Sequence, residues 1–71
     1  MNEKEYKKHV RLYRSYCIHY SNEALYEAAL STSKILADKS ICNTNPHAEK
    51  MVHAHRDAVI SILDERYDNI N

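Results

Sequence analysis

Residues 3–20 read EKEYKKHVRLYRSYCIHY, and the spacing of their apolar positions decides the class of fold. On a helix, Tyr6, Val10, Tyr13, Cys17 and Tyr20 fall within roughly 80° of arc. His9, Leu12 and Tyr16 extend this stripe along one edge. The opposite face collects Lys4, Lys7, Lys8, Arg11 and Arg14, with Ile18 as an apolar exception. The stretch is therefore an amphipathic helix with a tyrosine-rich seam and a basic back.

Working outward, Ser21 or Asn22 supplies an N-cap, and Glu23 lies near the positive end of the helix that follows. A connection this short favours antiparallel neighbours. The second helix, over about 22–38, is apolar around more than half its circumference. Leu25, Ala28, Ala29, Ile35 and Leu36 make one part of that arc, and Tyr26, Leu30 and Ala37 another. Such a helix packs on two sides, so it is expected to sit centrally. Ser31, Thr32 and Ser33 are weak helix formers and raise the alternative of a break there. The glycine often found in such a helix-turn-helix bend does not occur in this chain.

Lys39 to Asn45 reads as a loop, in which Ile41 and Cys42 are expected to turn inward. Asn45 before Pro46 is a helix start: an N-cap, then proline at the first helical position. The third helix, over about 46–68, turns Ala48, Val52, Val59, Ile62, Leu63 and Ile70 to one side, flanked by Met51 and Ala58. Lys50, His53, Asp57, Asp64 and Asp68 face away. His55 falls near the centre of the apolar face, where a tyrosine hydroxyl is its expected partner. The fold expected is all-α: a helical hairpin or three-helix bundle forming a single small domain over residues 1–71.

The 71 residues include six tyrosines but no phenylalanine or tryptophan. Every aromatic ring thus carries a hydroxyl that needs a partner if buried. Chains of this size bury only about 60% of the surface that unfolding exposes, so their stability is marginal. Self-association, as a homodimer through the second helix, is the expected source of extra stability, since two cysteines allow one bridge at most. No apolar run follows Lys4, Lys7 and Lys8 as in a secretory leader, and no stretch is apolar enough to span a bilayer. A cytoplasmic protein with reduced thiols and no membrane partner is expected.

The formal charge is zero but unevenly spread. Residues 1–20 hold five Lys/Arg against two Glu, and residues 21–71 hold five against eight Asp/Glu. Global attraction for nucleic acid is therefore absent, while a local basic face remains.

Metal binding finds little support. Cys17 with His19, and His53 with His55, are two apart on helices and point in divergent directions. Cys42 and His47 are the one local pair able to converge, and the spacing suits no usual structural zinc site. Glu49, His53 and Asp57 share a face at four-residue steps, which fits a solvated polar face with helix-stabilising pairs. Without glycine there is no phosphate-binding loop. No catalytic, metal or cofactor residue is expected.

A binding role is expected instead. Leu12, Tyr13, Arg14, Tyr16, Tyr20 and Tyr26 are the candidate protein-binding residues, since tyrosine and arginine are enriched at binding hot spots. The expected function is that of a non-enzymatic adaptor, regulator or inhibitor that binds a larger protein. Asparagine, isoleucine, lysine and tyrosine are well represented, as in products of AT-rich genomes, phages and accessory elements among them. The alternative is nucleic-acid binding through Lys4, Lys7, Lys8, Arg11 and Arg14. The tyrosines lie mostly on the other face, which weakens a base-stacking role. A third reading is a self-assembling structural protein.

Overall fold

The computed structural model describes residues 2–38 and 45–70. Three helices occupy them: α1 (Glu3–Cys17), α2 (Asn22–Ala37) and α3 (Pro46–Ile70). The fold is all-α, as the apolar spacing implies. Ile41 and Cys42 lie outside the described residues, as does the side chain of Ile70.

Each helix begins where a short polar side chain can satisfy a free backbone N–H. Asn2 accepts from Glu5 at 2.8 Å, Ser21 from Ala24 at 3.1 Å, and Asn45 from Ala48 at 3.1 Å. Acidic residues occupy each first turn: Glu3 and Glu5, Glu23, and Glu49. They complement the positive end of the helix dipole.

α1 stops at Cys17, one turn short of the expected Tyr20. Ile18 donates to the Arg14 carbonyl at 2.9 Å and Tyr20 to the Cys17 carbonyl at 3.0 Å, which tightens the exit. No described residue has positive φ. The turn is closed from outside instead. Arg66 on α3 donates to the Ile18 carbonyl at 2.9 Å and to the Asn22 side-chain oxygen at 2.8 Å. A guanidinium thus meets a carbonyl at the negative end of α1.

α2 is continuous through Ser31, Thr32 and Ser33, so no break or helix-turn-helix bend forms. Thr32 is buried, and its hydroxyl donates back to the carbonyls of Ala28 and Ala29 at 2.9 and 3.0 Å. That back-bonding removes the cost of burying the hydroxyl.

The arrangement differs from the expected one in its centre. α3, the longest helix, is the spine on which α1 and α2 both pack, while α1 and α2 scarcely touch each other. The interhelical contacts set the directions. Tyr6 meets Asp57 and Arg14 meets Glu65, so α1 runs with α3; Asn22 meets Arg66 and Ser33 meets Arg56, so α2 runs against it. α2 is therefore a flanking helix, and half of its wide apolar arc is left uncovered. Leu30 is 57% exposed and Tyr26 64%.

All three helices contribute to the core. Cys17 from α1, Leu25 from α2, and Val59 and Ile62 from α3 pack together, with Ala28, Ala29 and Leu63 against them. Burying each large aliphatic side chain contributes about 1.5–3 kcal/mol. Ala54 and Ala58 are also fully buried. They precede Asp57 and Ser61 by three residues and so lie on the α1 side of α3, where small side chains permit close approach.

Candidate protein-binding surface

The six residues singled out for protein contact do not form one patch. Tyr13 is half-buried, its ring 5.0 Å from that of His55 and tilted by 32°. Cys17 Sγ lies 3.8 Å from Nε2 of the same histidine. His55 therefore has a thiol and an aromatic ring as partners in place of the expected tyrosine hydroxyl. Burial pushes the Cys17 thiol above its ordinary pKa, which keeps it protonated and unreactive.

Arg14 also departs from its expected place. It turns off the basic back and onto α3, donating to the Ser61 hydroxyl and pairing with Glu65. Its role is to hold α1 to the spine. Asp57, expected to face away, accepts a hydrogen bond from the Tyr6 hydroxyl. Tyr6 is pushed up to about 12, first by burial, then by that hydrogen bond and the negative charge of Asp57.

The remaining candidates are exposed. On α1, Leu12 is 47% and Tyr16 64% exposed, one helical turn apart. Both lie about 160° around the helix from Arg14, on the flank opposite that anchor. Tyr20, expected in the packing seam, is 45% exposed because α1 ends before it. Tyr26 stands on α2, and Tyr67 of α3, which was not a candidate, is 67% exposed. Only the docking of α2 on α3 reveals Tyr67 as part of a surface, so nothing local in the sequence marks it.

The alternative basic surface is altered too. Lys4, Lys7, Lys8 and Arg11 remain exposed on one face of α1. Arg14 has left it, and Lys7 pairs with Glu3 at 3.3 Å.

Open clefts of about 500 and 720 Å³ flank Tyr6. The first lies between the starts of α1 and α3, near Pro46, Glu49 and His53; the second is bordered by Lys7, Arg11 and Asp57. Their linings mix acidic and basic groups without a convergent set. His53 Nε2 is 3.8 Å from Glu49, an ordinary pair one turn apart. Among the described residues no three His, Cys, Asp or Glu side chains gather where they could hold a metal ion. No described helix is long and apolar enough to cross a membrane. Comparison with known protein families, with characterised proteins and with solved structures found no match.

Proposed function

We propose that this chain is a non-enzymatic helical adaptor that binds a larger protein and alters its activity, with self-association as part of its working form. The observation that carries the reading is the exposed pair Leu12 and Tyr16 on the flank of α1 away from Arg14. Adjacent apolar and tyrosine side chains at one-turn spacing suit a contact that is apolar at its centre and wet at its rim. Tyr20 is exposed in the turn just past the end of α1. A reducing compartment such as the cytoplasm suits the chain, since Cys17 is a buried free thiol. The reading extends to a phage or accessory-element regulator on composition alone.

The test is affinity capture from lysate under nuclease treatment, with wild type against Leu12→Ala/Tyr16→Ala. The double variant should lose a discrete captured protein by at least about tenfold while its far-UV helical signal stays unchanged. Equal capture by both would remove this flank from the function.

The second reading is nucleic-acid binding through Lys4, Lys7, Lys8 and Arg11, favoured by their common exposed face. Four positive groups neutralise few phosphates, so the binding would be weak and would fall steeply with salt. A low-salt mobility shift that vanishes on Lys4→Gln/Lys8→Gln substitution would select it.

A further inference from the structure

We infer that the chain pairs with a second copy of itself, antiparallel, through the uncovered flank of α2 and the adjoining edge of α3. The inference deepens the self-association in the proposed function and rests on that part of it. It uses a different surface from the Leu12 and Tyr16 flank.

Hydrogen bonds at two levels register the two helices, Arg66 to Asn22 and Arg56 to Ser33. Arg56 Nε donates to Ser33 Oγ at 3.0 Å. Tyr26 and Leu30 precede Ser33 by seven and three residues, so all three share one side of α2. Ile60 and Tyr67 follow Arg56 by four and eleven residues, so they share the corresponding side of α3. Both rows therefore border the α2–α3 seam on the same side. Tyr26, Leu30 and Tyr67 are 64%, 57% and 67% exposed on it, and Ile60 is half-buried.

The exposed surface leaves room for an interface. The chain exposes 5260 Å². A folded monomer of its mass exposes about 4,600 Å² by the usual scaling. The surplus of about 700 Å² belongs to the chain as a whole, so surface for an interface is present.

Charge decides which partner and which direction. Glu27 and Lys34 stand seven residues apart on the same border of the α2 stripe. No ion pair among the described residues engages either one. A two-fold axis level with Leu30 and Ser31 brings Glu27 opposite the partner's Lys34, and Lys34 opposite the partner's Glu27. A parallel two-fold pairing would instead place the two Glu27–Lys34 borders on opposite edges of the interface, where they could not pair. The border is thus self-complementary in the antiparallel sense, as an isologous interface requires. The same axis sets Glu23 opposite the partner's Asp38 at the ends of the helix, a like-charge pairing that offsets part of this attraction.

Sedimentation equilibrium on the full chain, from low to high micromolar concentration, tests this. The expected mass is twice the 8.3 kDa of the chain. Leu30→Asp should weaken dimerisation on the order of 100-fold. Glu27→Lys and Lys34→Glu should each weaken it about tenfold, and the two together should restore it. A monomeric mass throughout, open-ended oligomers, or a dimer indifferent to Leu30→Asp would overturn the proposal. So would charge swaps without mutual rescue, or a monomer whose Leu30→Asp variant loses a different protein partner. Leu12→Ala/Tyr16→Ala should leave the mass unchanged, so failure of the dimer and failure of the α1 contact read out separately.

Discussion

Tyr6 and Asp57 show how a single polar contact ties helix packing to pH. The Tyr6 hydroxyl is raised from an ordinary 10.0 to about 12 by burial and by Asp57. A raised pKa means that the neutral form is favoured by folding. The stabilisation is therefore complete below about pH 10 and is lost as pH rises from about 10 to about 12. Urea midpoints measured across that range should fall for the wild type. Tyr6→Phe should flatten that fall, at a neutral-pH cost of about 1 kcal/mol or less. Equal alkaline slopes would show that the contact does not form. Arg14 and Arg66 act at the same scale. Each carries a planar set of donors that reaches two acceptors at once, Ser61 with Glu65 and Ile18 with Asn22. Neither role is legible in the sequence. Arg14 falls among lysines on a basic face by periodicity, and its long stem then lets it fold back over α1 onto α3.

At the scale of the element, boundaries follow local chemistry where caps are strong. Asn45–Pro46 and Ser21 start their helices as their sequences require, because capping depends on residues within one turn. Asn45→Ala should cost about 1 kcal/mol, read as a lower denaturation midpoint with unchanged slope. A loss well below that would mean that the α3 start is held by packing alone. The Ser31–Ser33 stretch went the other way. Weak intrinsic propensity was outweighed by burial of Thr32 against α3 and by its back-bonding to Ala28 and Ala29. The early end of α1 has a similar cause: Arg66 captures the Ile18 carbonyl and closes the chain before Tyr20 can join the helix.

For the molecule as a whole, the core is small, and its burden falls on few side chains. Ile62 is 1% exposed and sits where all three helices meet. Ile62→Ala should cost about 2–5 kcal/mol, a large share of the stability of a domain this size. Thermal denaturation should show a lowered or absent cooperative transition, and a dimer should recover part of it as concentration rises. The sequence by itself determined three amphipathic helices, the Ser21 and Asn45 caps and the Leu12–Tyr16 edge of the first helix, since each follows from the 3.6-residue period and from neighbours in the chain. It could not say which helix would be the spine. A period places a residue around its own axis and says nothing about which neighbour covers it. Tertiary docking made that choice, giving α3 both partners and leaving the Tyr26–Leu30 side of α2 bare. It also turned Arg14 onto α3 and set Asp57 against the Tyr6 hydroxyl, because contacts between distant segments exist only once the helices have packed.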